Sequence, residues 1–191
     1  AEHPAFALAA VCDVRPEALE PYASDDNVGR FTDIESFVRS DRIDAVFVAT
    51  PTWLHAEHAV LAMRHGKHVI VEKPMACTAT ESAAMVEASE AARRALIVGH
   101  SQSFEPSVQI MRAVIASGRI GALKSINAWN YTDWMFRPRH AAEFDRARGG
   151  GVVYRQAAHQ IDIVRYLAGG AIPNRVRAVI GDWDRSRPGD G

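Results

Sequence analysis

Through its first hundred residues the chain alternates short apolar runs with stretches of helical periodicity, and that alternation restricts its fold more than any other feature. The runs Phe6–Asp13, Asp44–Ala49, His68–Glu72 and Leu96–Gly99 lack period-two alternation, so they are expected as strands covered on both faces. Helical patterns fill the intervals at Arg15–Ala23, Ile34–Ser40, Ala56–His65 and Thr80–Ala92. Thr78-Ala79-Thr80-Glu81 has the spacing of a capping box, and Gly66 follows Arg64-His65 as a helix stop. The α/β alternation predicts a Rossmann-type, doubly wound parallel sheet.

The pattern changes near His100. Pro106–Ser117 reads as a helix closed by Gly118, and Leu123–Trp134 as a long strand. A polar, Arg-rich stretch leads to Gly149-Gly150-Gly151, a helix from Val152 to about Leu167, and a further strand at Val176–Asp182. Residues 1–100 are therefore expected to form a dinucleotide-binding domain, and residues 101–191 the start of a second α/β domain. No internal repeat or low-complexity linker interrupts them. With no initiator Met and a first apolar run that needs neighbouring strands, the chain is expected to be an internal piece of a longer protein.

Of 191 residues, 48% are hydrophobic and 24% charged, a globular composition. Lys and Arg number 22 against 23 Asp and Glu, so no basic excess points to nucleic acid or an anionic membrane. No apolar run is long enough to span a bilayer, and no signal-peptide pattern is present. Cys12 and Cys77 lie far apart in the sequence and suit a reducing compartment, which makes a cytoplasmic protein the expectation.

Ligands of open α/β sheets bind at the carboxyl ends of the strands. His68-Val69-Ile70-Val71-Glu72-Lys73-Pro74 puts a carboxylate, an ammonium and a proline at such an end. A lysine partly shielded from water there is a candidate for proton chemistry, which makes Lys73 the first choice of catalytic residue. Asp13 ends the first strand, where an acid can hydrogen-bond the ribose hydroxyls of a dinucleotide; a turn-forming or capping role is the alternative. An acid there leans toward NAD over NADP, although Arg15 can accommodate a 2′-phosphate. The Gly-rich phosphate loop that goes with such an acid should lie upstream of Asp13, and this sequence does not contain it.

Thr50, Pro51 and His55 follow another strand and can line a cofactor or simply form the loop into the next helix. His55 and His58 stand three apart on a helix, but no third ligand sits at metal spacing, so no metal site is expected. On Val152–Leu167, Val153, Ala157, Ile161, Val164 and Ala168 form an apolar stripe. Arg155, His159, Asp162 and Tyr166 form the opposite, polar one. From spacing alone, a solvated outer face is the simpler reading of the polar stripe. The other is that His159 faces a cleft with Asp162 or a backbone group fixing its tautomer. The three glycines lack the Lys-Ser/Thr of a P-loop and are expected to serve close backbone packing.

Asp13 at a strand end, Ala49-Thr50-Pro51 with His55, Val71-Glu72-Lys73-Pro74, and Gly150-Gly151 followed by His159-Gln160-Ile161-Asp162 resemble, in this order, the Gfo/Idh/MocA oxidoreductases. The resemblance spans essentially all of the chain. It implies a Rossmann domain, a second α/β domain with a large open, mainly antiparallel sheet, and NAD(P)-dependent oxidation of a hydroxyl. It also implies that Asp13, Thr50, Pro51, His55 and Glu72 line the cofactor, that Lys73 touches nicotinamide and substrate, and that His159 exchanges the hydroxyl proton. A homo-oligomer formed through the second sheet is implied as well. Many sugar-oxidising members carry Asp where this chain has Arg155, and an arginine there suits an anionic substrate.

Tyr131-Thr132-Asp133-Trp134-Met135-Phe136-Arg137-Pro138-Arg139 and Gln156-Ala157-Ala158-His159-Gln160 are similar to the branch that oxidises phthalate-type dihydrodiols. That similarity implies Arg137, Arg139, Arg155 and Gln156 as substrate-binding residues, with Trp134 or Phe136 flanking a ring. A sugar or inositol dehydrogenase, and a non-catalytic nucleotide sensor of the same fold, remain the competing expectations.

Overall fold

The computed structural model describes residues 4–133, 137, 138 and 140–179. Trp134, Met135, Phe136 and Arg139 lie outside the described residues, as does the stretch from 180 to the end. The chain divides into two compact units: Ala1–Glu72 with Ala79–Ile97, and Lys73–Thr78 with Val98–Gly191.

The first unit is an α/β structure built on parallel strands. Strands β1 (Ala10–Cys12) and β2 (Gly29–Phe31) pair in register Ala10↔Gly29 to Cys12↔Phe31. Strands β3 (Ala45–Val48) and β4 (His68–Val71) pair from Ala45↔His68 to Val48↔Val71, and β5 (Leu96–Val98) follows β4. Helices α1 (Ile34–Arg39), α2 (His55–Arg64) and α3 (Ala79–Ala92) connect them. Asp33 starts α1 by accepting the Ser36 amide on its carboxylate, which satisfies one of the first-turn donors.

Among the described residues β1 pairs with β2, and β3, β4 and β5 pair in that order. Two expectations need correction here. β2 was not anticipated, because Gly29-Arg30-Phe31 has neither an apolar run nor alternation. Arg15–Ala23, expected as an α-helix, holds a 3-10 stretch at Pro16–Tyr22; Pro21 inside it has no N–H to donate.

The core lies on one face of the longer sheet. Val46, Val48, Val69 and Val71 are buried together with Ala59, Ala62 and Met63 of α2 and Met85 of α3. Each buried aliphatic side chain contributes about 1.5–3 kcal/mol relative to exposure. The expectation of strands covered on both faces is not met, since Phe47 is 59% and Ile97 50% exposed. Near β2, Phe31 packs edge-on against Phe37 of α1, with ring centroids 5.7 Å apart.

The second unit is mostly helical among its described residues. A 3-10 turn (Ser101–Phe104) leads into α4 (Pro106–Ala116), with Pro106 in the first turn, where its missing N–H costs nothing. Helix α5 (Val152–Leu167) packs on α4 and on that turn. Of the strands expected at Leu123–Trp134 and Val176–Asp182, the described residues 123–133 and 176–179 form none. Strand backbone needs a paired neighbour for its N–H and C=O groups, and no strand lies beside them among the described residues. The antiparallel sheet expected of this unit is accordingly not seen in the described residues.

Candidate active site

Three candidate cofactor residues of the first unit sit at or just beyond the carboxyl ends of its parallel strands. Asp13 follows β1 and its amide donates to Phe31 O at 3.2 Å; Glu72 follows β4 and its amide donates to Val48 O at 2.9 Å. Thr50 lies two residues past β3. The Asp13 carboxylate accepts the Arg15 amide at 2.9 Å and the Arg15 guanidinium through Nε at 3.1 Å and Nη2 at 3.2 Å. These bonds hold the Asp13 carboxyl below the usual carboxylate range, so it is charged at neutral pH.

The two histidines of α2 hold the Thr50 loop. His55 is buried at 2% exposure, and its Nε2 lies 2.7 Å from the Thr50 carbonyl oxygen. His58 Nδ1 lies 3.2 Å from Thr50 Oγ1. Burial pushes the His58 pKa down from 6.5, opposed by Glu57, so the neutral ring can accept the hydroxyl proton. Pro51 is exposed at the start of the loop.

The second unit gathers the groups expected to carry proton chemistry. Lys73 Nζ donates to the Arg155 carbonyl oxygen at 3.0 Å. In α5 that carbonyl is also the helical acceptor for the His159 amide, four residues on. Lys73 is therefore tied to the helical turn that ends at His159. Tyr154, in the same turn, donates its hydroxyl to the Ala76 carbonyl, so this bond and that of Lys73 help hold segment 73–78 on α5. The Lys73–Pro74 peptide bond is cis.

His159 is 9% exposed, which overturns the reading of the polar stripe as a solvated outer face. It is the apolar stripe that is open, with Ile161 at 61% and Val153 at 44% exposure. The inward orientation follows from specific partners. Ser103 donates its hydroxyl to the Asp162 carboxylate, and Tyr166 donates to Gln109 Oε1 at 2.8 Å. Asp162 is thus engaged by Ser103, whereas it was considered as a partner for His159. The His100 ring stands edge-on to that of His159, with centroids 6.4 Å apart.

Arg155 is half-buried, and its guanidinium makes no hydrogen bond or ion pair among the described residues. Gln156 beside it is half-buried too. Arg137 is exposed and pairs with Asp133 at 3.0 Å, a surface ion pair of small energetic weight. Arg139, Trp134 and Phe136 lie outside the described residues.

The glycines before α5 serve packing. A Cβ on Gly150 would stand 2.5 Å from Glu143 O and 2.7 Å from the Asp145 amide nitrogen, both backbone. The Gly150 and Gly151 amides already donate to Asp145 O and Glu143 O. They form no phosphate cradle.

His100, Ser103 and Tyr154 were missed in the sequence. His100 was within reach: it lies two residues past β5 as Thr50 lies two past β3, and the strand-end rule applied to all strands selects it. Ser103 and Tyr154 act through tertiary hydrogen bonds that leave no sequence signal.

Residues 1–100 match the oxidoreductase family with an NAD-binding Rossmann fold, and residues 108–190 match the Gfo/Idh/MocA C-terminal domain. Over 185 residues the chain is 40% identical to 1-carboxy-3-chloro-3,4-dihydroxycyclo hexa-1,5-diene dehydrogenase of Comamonas testosteroni, covering 96% of this chain and 46% of that protein. A solved structure from Bordetella bronchiseptica RB50 superposes with a TM-score of 0.88 at 36% identity, over 97% of this chain and 49% of that one. The WlbA dehydrogenase from Bordetella pertussis, solved with NADH and UDP-GlcNAcA, superposes with a TM-score of 0.72 at 26% identity, over 83% and 46%. The chain spans about half the length of the curated relatives it matches.

Proposed function

The chain belongs to the Gfo/Idh/MocA oxidoreductase family, and on that premise we propose that its protein is an NAD(P)-dependent dehydrogenase oxidising one hydroxyl of a carboxylated cyclic diol. The observation that carries the reading is the Arg155 carbonyl, which binds Lys73 Nζ and serves as helical acceptor for His159, on a residue whose guanidinium has no partner among the described residues. A proton-accepting imidazole, an ammonium and a free cation are thereby gathered about one helical turn. The relative whose name specifies a carboxylated dihydroxycyclohexadiene supports the substrate class.

The donor set fits a dinucleotide. Asp13 and Glu72 follow parallel strands at the edge where such cofactors bind, and the charged Asp13 suits ribose hydroxyls. A bound nicotinamide supplies the hydride acceptor. His159 takes the proton of the reacting hydroxyl, and the Lys73 ammonium stabilises the developing alkoxide. Thr50, Pro51 and His55 contribute through their loop, with His55 and His58 holding Thr50 in place. A carboxylate at Asp13 repels a 2′-phosphate, and Arg15 is spent on Asp13, which favours NAD over NADP. Arg155, with Gln156 beside it, receives the substrate carboxylate, and the sequence resemblance adds Arg137 and Arg139 as substrate-binding residues. A cytoplasmic homo-oligomer accompanies this reading; neither Cys12 nor Cys77 is in a disulfide.

Lys73→Ala in the full-length protein tests the assignment. Loss of transition-state stabilisation should lower kcat by roughly 100-fold or more while NAD affinity, read by calorimetry, is kept. Unchanged turnover would remove Lys73 from the mechanism.

A further inference from the structure

We propose that His100 is the outlet of the proton path, taking the substrate's proton from His159 and releasing it to solvent. The proposal rests on the dehydrogenase reading above and adds a positioning residue that acts through His159, without touching the substrate.

The backbone fixes where His100 stands. It is the central residue of an inverse γ-turn, with φ −76° and ψ 73° and the Ser101 amide donating to Gly99 O at 3.0 Å. The 3-10 turn that follows is tied to α5 by the Ser103–Asp162 bond and to α4 by Gln109 Nε2 on Ser103 O. Segment and helix are therefore locked together, and the 6.4 Å edge-to-face arrangement of the two imidazoles is a consequence.

The chemistry of the ring matches the role. His100 Nδ1 is buried without a hydrogen-bond partner among the described residues, although buried polar atoms are nearly always bonded. The ring is only half-buried, so it spans inside and outside. An imidazole takes and gives a proton near neutral pH. The neighbouring groups are otherwise engaged: Asp162 by Ser103, Lys73 by the Arg155 carbonyl.

The step balances. The substrate O–H bond breaks and its proton passes to His159. The hydrogen on carbon leaves with its electron pair to an oxidised nicotinamide, and the C–O bond becomes a carbonyl. His159 returns to its neutral form by passing the proton to His100 through one hydrogen-bonded water, and His100 gives it to bulk water. One proton reaches solvent for each hydroxyl oxidised.

The test compares wild type with His100→Asn in the full-length protein by two measurements. In the cofactor-free protein, nitrogen-resolved NMR reads exchange of the His159 ring N–H with water; the proposal predicts at least a tenfold slowing in the variant at unchanged melting temperature. In turnover, kcat should fall by about a hundredfold, the low end for a proton-transfer group, with KM for NAD unchanged. Millimolar imidazole should restore part of that loss, as a merely structural role would not allow. Equal exchange rates in the two proteins, or lost turnover that imidazole leaves unrestored, would overturn the relay. Wild type that binds NAD yet oxidises no diol would instead overturn the dehydrogenase reading, and the relay with it.

Discussion

The Arg155 backbone does one thing and its side chain another. Its carbonyl anchors Lys73, while its guanidinium has no partner among the described residues. Charge-assisted hydrogen bonds contribute about 1.5–3 kcal/mol, so Arg155→Leu should raise KM for a carboxylated cis-diol roughly tenfold to a hundredfold. KM for a neutral cis-diol should stay within about threefold; an equal rise for both would place Arg155 away from the carboxylate. His58 gives a prediction in pH. Its neutral ring is favoured by burial, so its folded pKa lies below the ordinary 6.5. On acidification through 6.5 the unfolded chain binds the proton first, and stability falls until the folded ring protonates as well. His58→Gln should flatten the decline of melting temperature below about pH 6.5, and an identical decline in both proteins would refute the assignment. At this scale the strand-end positions of Asp13, Glu72 and Lys73 could be seen in the sequence, because they depend only on where the strands end. The Arg15 clamp on Asp13 and the capture of Asp162 by Ser103 could not, since both need side-chain geometry.

Among the elements, α5 is the one whose sequence misleads. Its apolar stripe looks like the buried side, yet Ile161 is 61% exposed and His159 only 9%. Hydrogen-bond partners on the Ser101–Phe104 turn and α4 decide the orientation, and helical periodicity carries no information about them. The start of the helix is set by Gly150, where any side chain meets backbone that cannot move aside. Overpacking of this kind costs about 1–3 kcal/mol, so Gly150→Ala should lower the melting temperature by several degrees; an unchanged value would contradict the packing. Tyr154→Phe should free segment 73–78 from α5 and speed amide exchange there, because the Tyr154–Ala76 bond is lost. The β-α order of the first unit was legible from apolar runs, since buried strands need little else. β2 was not, because Gly29-Arg30-Phe31 becomes a strand only by pairing with β1. The strand expected at Leu123–Trp134 failed for the converse reason: its alternation is real, but no partner strand lies among the described residues.

At the scale of the whole molecule, the two family matches agree on one architecture: an NAD-binding Rossmann domain followed by the family's C-terminal domain, in whose stretch of the chain His159 and Arg155 fall. The near-neutral charge of −1 offers no field to steer a polyanion, so the anionic substrate proposed above would have to be recognised locally. The family was readable from the order of short motifs, whereas the proposed substrate class rests on a single departure, Arg155. The most direct test is nicotinamide reduction by the full-length protein over a small panel: a carboxylated cyclic cis-diol, its decarboxylated analogue, inositol and an aldose, each with NAD and NADP. Turnover with NAD that is fastest on the carboxylated diol, by at least tenfold in kcat/KM, is the predicted result. Equal or faster turnover on inositol or the aldose would contradict the account and return Arg155 to a role outside substrate recognition.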